Sequence, residues 1–262
     1  MGLSAPMPRS SDVALSVVIP AHNSARVLAS TVGRFAEYLA DVQAEIIVVE
    51  NGSTDDTGAV CRRLEQSWDH TTVSLHITTS AKGLGNALRV GVAHSSGSRV
   101  LLTADDLPFG FDDLDAARAI AADTGHTPLL MIGSKGHPDS VVSRGMLRTV
   151  MTTGFGVLRR VVLGTHAKDP QGTFLVDGDL LRSVAGSLVE PGFLFTTELD
   201  YALELAGVDP VELPVRLSES HRDEPSRVAG GDVMAMAKGL VSLRKRKSEL
   251  KSAAQYGLQL HR

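Results

Sequence analysis

Two adjacent aspartates, Asp105 and Asp106, follow the apolar run "SRVLLT" (Ser98 to Thr103), and upstream of that run stands "SAKGLGN", where Lys82 is beside Gly83 and Gly85. Glycine lets backbone N–H groups come close to a ligand, and a nearby lysine favours anionic oxygens. Two more polar clusters also follow apolar runs: "PAHNS", with Pro20, His22 and Asn23, and "NGSTDDT", which begins at Asn51 directly after Glu50. Each cluster alone has a plain structural explanation. Asn51 to Asp56 reads as a turn and a helix N-cap, because Ser, Thr and Asp accept the free N–H groups of a first turn. Asp105 and Asp106 read as loop acids facing water. The glycines resemble the opening of a dinucleotide fingerprint, but Leu88 stands where its third glycine belongs.

The clusters gain meaning from the elements that must carry them. "LSVVIP" (Leu15 to Pro20), "EIIVVE" (Glu45 to Glu50), "VSLHIT" (Val73 to Thr78) and "SRVLLT" are short, β-branched and almost wholly apolar, and helical stretches separate them. Such strands alternating with helices predict an α/β fold with a mostly parallel central sheet of Rossmann type, covered by helices on both faces. Ligands of these sheets bind at the carboxyl ends of the strands. All four polar clusters fall at that one edge.

Composition narrows the class. A chain of 262 residues, 43% hydrophobic and 21% charged, buries one sizeable core, so one α/β domain is expected, over 14–230, after a disordered leader at 1–13. A net charge of -4 argues against a general nucleic-acid binder. The single cysteine, Cys61, sits in an expected helix without a partner in the chain, which points to a reducing, cytoplasmic setting. No run of about 18 apolar residues exists to span a bilayer.

The order "VVIPAHN", "IIVVENGSTDDT", "AKGLGNALRVGVAHSSG" and "VLLTADDL" resembles the nucleotide-sugar half of the family 2 inverting glycosyltransferases with the GT-A fold. The branch it is most similar to is that of the dolichyl- or polyprenyl-phosphate hexose synthases, which transfer glucose or mannose. The resemblance runs on through "IGSKG", "KDPQGTF", "FTTELDYALELAG", "VELPV" and "HRDEPSRV", from about Leu15 to Leu243. It implies a UDP- or GDP-hexose donor, and Mg²⁺ or Mn²⁺ held by a short acidic motif that stabilises the departing diphosphate. Aligned without gaps from Gly97, the family's aspartate–any–aspartate motif falls on Ala104, Asp105 and Asp106. Its first acid is therefore absent. Asp106 matches the second acid and is the implied metal ligand, and Asp105 is either a substitute ligand or a water contact. Pro20, His22, Asn23, Glu50 and Asn51 match positions lining the nucleoside pocket, with His22 either stacking on a base or hydrogen-bonding. Ser24 stands where an acid is common. Lys82, Gly83, Lys135, Arg222 and Arg227 match positions near the donor or acceptor phosphates, and the loop bearing the two arginines is expected to close over bound donor. Asp169 and Glu198 are the remaining matching acids, suited to positioning an acceptor or sugar hydroxyl or to acting as a general base. Gln171 is similar to the glucosyl branch.

Charge bears on the acceptor. A sugar hydroxyl needs a positioned base, whereas a lipid phosphate is already ionised at neutral pH. With only Asp169 and Glu198 as candidate bases, a polyprenyl phosphate is favoured, steered by Arg144, Arg148, Arg159 and Arg160. The segment holding them is either a helix at a membrane surface or a core helix with a charged edge. Residues 231–262 are expected as a basic amphipathic helix, because apolar positions at helical spacing lead into Arg244, Lys245, Arg246 and Lys247. That predicts a peripheral enzyme on the inner face of a membrane, with a small membrane anchor protein as a further partner. The alternatives are a soluble family 2 transferase acting on a hydroxyl acceptor and a degenerate nucleotide-sugar-binding protein.

Overall fold

The computed structural model describes residues 13–141, 146–169, 172–217 and 230–261. The four expected strands are present as β1 (Leu15–Ala21), β2 (Ala44–Glu50), β3 (Val73–Thr79) and β4 (Arg99–Leu102). They alternate with α1 (Leu28–Tyr38), α2 (Thr57–Ser67) and α3 (Leu84–His94). There follow α4 (Asp112–Thr124), β5 (Leu130–Ser134), α5 (Met146–Leu163), β6 (Thr173–Asp177), α6 (Gly178–Ala185), α7 (Phe195–Leu205) and β7 (Val211–Pro214). Two helices, α8 (Gly230–Lys245) and α9 (Lys247–His261), complete the described chain.

The strands form one seven-stranded sheet in the order β3-β2-β1-β4-β6-β5-β7. Among the described strands only β6 runs against its neighbours, pairing antiparallel with both β4 and β5. The carboxyl ends of the other six strands, and the amino end of β6, therefore share one edge. Sequential strands leave β1 in one direction through β2 and β3, and β4 lies on its other side, so the order reverses between β1 and β4. A crevice opens at such a reversal.

Alternation along the strands divides the core. Val18, Ile47, Val49, Val100 and Leu102 face one layer, built with α3, α6, α7, α8 and α9. Val17, Ile19, Ile46, Val48 and Leu101 face the other, built with α1, α2 and α4. On the first face α3 rides tightly over β1, because a Cβ at Gly91 would collide with the Val18 side chain. Cys61 is buried in α2, and burial pushes its thiol up to about 11.

The C-terminal segment departs from expectation. It is two helices broken at Arg246 rather than one, and Met236, Leu240, Leu243, Leu250 and Ala254 are buried in the same cluster as the sheet. Gly257 of α9 seats so closely on Ser183 of α6 that no side chain fits between them. The apolar positions of the expected amphipathic helix are used by the protein's own core.

Candidate active site

Two non-glycine residues with positive φ mark the crevice: Asn23 (φ 54°), after β1, and Leu107 (φ 49°), after β4. Left-handed backbone at such residues is sparsely populated and persists only where surrounding contacts hold it. Here Leu107 is anchored by its side chain, only 2% exposed, and Asn23 by its carboxamide oxygen, which accepts the Thr54 N–H at 2.8 Å. The tight turn at Leu107 presents Asp105 and Asp106 at the end of β4. Asp105 is 4% exposed and its Oδ2 accepts the Ser24 hydroxyl, so a hydrogen bond spans the point where strand order reverses. Asp106 is half-buried at the same edge.

Asn51 joins three strand ends. Its N–H donates to Ala21 O at 2.9 Å, and its Oδ1 accepts the Gly83 N–H at 3.4 Å. Its carbonyl lies 3.1 Å from His22 Nδ1. A carbonyl only accepts, so Nδ1 carries the proton and the ring is fixed with Nε2 on the other side. Pro20 is buried on β1, and Glu50 is half-buried at the end of β2. Burial pushes the Glu50 carboxyl up, but the Ser53 hydroxyl, the Ser53 and Gly52 amides and nearby His22 outweigh it and hold the group below the usual range. The "STDDT" stretch does more than cap α2. Asp56 occupies the N-cap without a side-chain cap bond, and Asp55 instead accepts the Ala25 and Thr57 N–H groups, tying the β2 loop to the β1 loop.

Gly83 (φ 129°) opens α3 in a conformation that other residues resist. Lys82 is exposed beside it, and its Cβ would touch a side chain placed at Gly52. The β2 and β3 loops are thus in contact.

On the far side of β4, Lys135 follows β5 and Asp169 precedes β6. Asp169 Oδ2 accepts the Lys135 N–H at 3.0 Å and lies 3.3 Å from its Nζ, which also sits 5.2 Å over the Phe109 ring. The segment leading to Asp169 is clamped. Glu204 accepts the His166 and Ala167 N–H groups, Glu212 accepts that of Lys168, and Arg159 donates to Ala167 O. Arg159 was expected to steer an acceptor phosphate; it is 1% exposed and paired with Asp200 at 3.4 Å, so it serves the interior instead. Arg160 remains exposed.

Glu198 does not join the open edge. It is 0% exposed, with Oε1 paired to Arg246 and Oε2 accepting the Val189 and Glu190 N–H groups at 2.9 Å each. Arg144, Gln171, Arg222 and Arg227 lie outside the described residues. Phe109 and the 188–191 loop are contacts that motif spacing did not single out, because their partners are brought to them by the fold, and Ser24, noted only as a missing acid, proves to be the partner of Asp105.

Among the described residues no three His, Cys, Asp or Glu side chains gather as a metal-holding group. The acids after β4 nevertheless fit a divalent ion that arrives with a diphosphate. Mg²⁺ is commonly held by one or two carboxylates, with substrate phosphates and waters completing its shell. Asp106 is half-buried at the edge, and Asp105 is buried next to it in sequence.

Residues 16–126 match the family model described as "Glycosyl transferase family 2". Over that stretch the chain is similar to the family 2 glycosyltransferases. The match takes in nearly all of β1, then β2 to β4 and α4, with the loops that follow β1, β2, β3 and β4. Dolichyl-phosphate beta-glucosyltransferase of Mus musculus is 27% identical over 218 residues, which cover 78% of this chain and 67% of the relative. The Saccharomyces cerevisiae enzyme of the same name is 27% identical over 252 residues, covering 89% and 75%. Among solved structures, glucosyl-3-phosphoglycerate synthase from Mycobacterium tuberculosis in complex with UDP superposes with a TM-score of 0.63 at 20% identity, over 89% of this chain and 80% of that one. The same enzyme with Mn²⁺, UDP-glucose and phosphoglyceric acid also superposes at 0.63 and 20% identity, over 89% and 80%. The chain thus has the GT-A fold that the resemblance implied.

Proposed function

We propose that this glycosyltransferase moves a hexose from a nucleotide-diphosphate sugar to a polyprenyl phosphate of the dolichyl kind, with inversion at the sugar's C1. The observation that carries the proposal is the meeting of Asp105 and Asp106, Glu50 and Asn51, and the Lys82–Gly83 turn on one sheet edge. Its acceptor class is supported by the dolichyl-phosphate glucosyltransferases to which the chain is similar.

In a single displacement, an acceptor phosphate oxygen bonds to C1 as the bond from C1 to the β-phosphate oxygen breaks, and that electron pair leaves on the nucleoside diphosphate. Pro20, His22, Asn23, Glu50 and Asn51 form the nucleoside end of the site. Lys82 and the backbone at Gly83 face the phosphates. When bound at Asp106, with Asp105 behind it, Mg²⁺ or Mn²⁺ supplies neutralisation of the diphosphate's charge. Asp169, held by Lys135, orients the acceptor side. An ionised phosphate needs no general base, which suits a site whose other candidate base, Glu198, is enclosed.

No helix among the described residues is long and apolar enough to cross a membrane. A peripheral position on the inner leaflet is supported by α5 and α8, which pack together and leave Val157, Val161 and Val241 exposed among the exposed cations Arg160, Lys238 and Lys245. Apolar side chains ringed by cations suit an anionic lipid surface. A small membrane anchor protein would share that surface.

The test is transfer of label from UDP-glucose, or from GDP-mannose, in the presence of polyprenyl phosphate, a water-soluble hydroxyl acceptor, or neither. We expect organic-extractable product with polyprenyl phosphate alone. Product on the hydroxyl acceptor would establish a soluble transferase, and nucleotide binding without turnover a non-catalytic binder.

A further inference from the structure

Glu198 and Arg246 hold a buried contact that the chemistry above does not use. Arg246 Nη1 donates to Glu198 Oε1, and its Nη2 donates to Ser187 O at 2.6 Å and to Glu249 Oε1 at 2.8 Å. The other Glu198 oxygen, as described, takes the amides of Val189 and Glu190. One ion pair therefore fixes the path of the chain from Ser187 to Glu190. That stretch leads straight into the α3 turn: Pro191 O accepts the Asn86 N–H at 3.2 Å, and the carbonyls of Pro191 and Glu190 occupy the places where Cβ atoms of residues 83 and 85 would go. From the helix side Arg89 donates to Leu188 O at 2.8 Å and to Asn86 Oδ1 at 2.6 Å. The glycine turn has no side chains of its own at 83 and 85 to lock it, so the shape of its amide-bearing backbone is set by the loop pressed against it.

We infer that Arg246 and Glu198 are positioning residues for the donor, a strut from the break between α8 and α9 through the 188–191 loop to the Gly83–Gly85 turn. The inference rests on the reading that this turn receives the donor's diphosphate. Glu198, a candidate base by sequence, acts away from the reacting atoms, because both its oxygens serve the strut. The strut also explains why one of four consecutive cations, Arg246, turns inward while Arg244, Lys245 and Lys247 stay exposed. A planar guanidinium bonds a carboxylate and a carbonyl at fixed angles, which a lysine ammonium reproduces only in part.

The variants R246Q, R246K and, as a control of equal charge change at an exposed neighbour, K247Q test this. UDP affinity in the presence of Mg²⁺ would be measured by calorimetry, beside donor KM, kcat and amide hydrogen exchange. In R246Q we expect UDP affinity to fall and donor KM to rise roughly tenfold, because a small misplacement of binding groups is costly. We also expect kcat to change much less, and exchange to quicken at Asn86, Val189 and Glu190 but not across the sheet. R246K should lie between R246Q and the wild type, and K247Q should match the wild type. Wild-type UDP affinity in a folded R246Q, whatever its melting temperature, would overturn the strut. Should R246Q not fold, wild-type affinity in R246K would do the same. If the wild type binds UDP too weakly to measure, the same titrations are made with GDP; if it binds neither, the donor reading falls, while local exchange in the variants still decides whether the strut holds the turn.

Discussion

Asp105 and Asp106 are neighbours of one residue type with separate work. Asp105 is enclosed and accepts the Ser24 hydroxyl across the crevice, whereas Asp106 stands half-buried at the strand end. Ser24 stands where the resemblance expects an acid, so the β1 loop contributes a neutral donor where a second carboxylate would repel Asp105. Replacing Asp106 with asparagine keeps its size and removes its charge. We expect D106N to lose turnover by about 10²–10³-fold, the cost of removing one group aimed at developing charge. Its thermal unfolding should stay near that of the wild type, because the side chain belongs to neither core cluster. A D106N enzyme that turns over normally would remove this residue from the metal site.

Among the helices and loops, the N-terminal turn of α3 is the part most exposed to small changes. Gly83 needs a φ of 129°, and a side chain there meets the Pro191 carbonyl. Alanine at this position costs about 1–2 kcal/mol of backbone strain before the collision is relieved. The relief must come from the turn or from the 188–191 loop, since α3 itself is fixed to β1 through Gly91. G83A is therefore expected to weaken UDP binding more than it lowers the melting temperature; a large loss of stability with unchanged UDP affinity would show that the turn serves folding alone. The α5–α7 pairing behaves differently. Arg159 and Asp200 are 1% and 0% exposed, and burial pushes the Asp200 carboxyl up while Glu204 adds to the push. Such a pair holds the chain before Asp169 in place and has no access to substrate.

For the protein as a whole, the surface proposed for membrane contact separates into a covered part and an open part. The apolar residues of α8 and α9 that lie in the core are unavailable to lipid, and Arg246 is engaged inside. Among the described residues, α5 and α8 leave Val157, Val161 and Val241 open, with exposed Arg160, Lys238 and Lys245 on the same two helices. Cosedimentation with anionic vesicles should therefore weaken as salt rises, and should drop when Arg160, Lys238 and Lys245 are changed together to glutamine, at about 1 kcal/mol per cation near the surface. These three changes leave the Arg246 strut intact, so UDP affinity should not move. Binding that is unaffected by the triple change would place the membrane contact elsewhere.

Local sequence was enough for the layered α/β class, for the four leading strands to within about a residue at most ends, and for the presence of polar clusters on one edge, because strand periodicity and β-branched apolar runs are local properties. It also carried the family resemblance, since the loops around the crevice are contiguous stretches of chain. Three assignments belonged to the folded arrangement alone. Arg159, Glu198 and Arg246 read as accessible charges, and each is drawn inward by a partner far along the chain: Asp200 for the first, and one another for the other two. The apolar stripe of the C-terminal segment has the same spacing whether it meets lipid or protein, and only the sheet face waiting beneath it decided for protein. Burial of a charge depends on what stands opposite, and that is a property of the fold rather than of the segment.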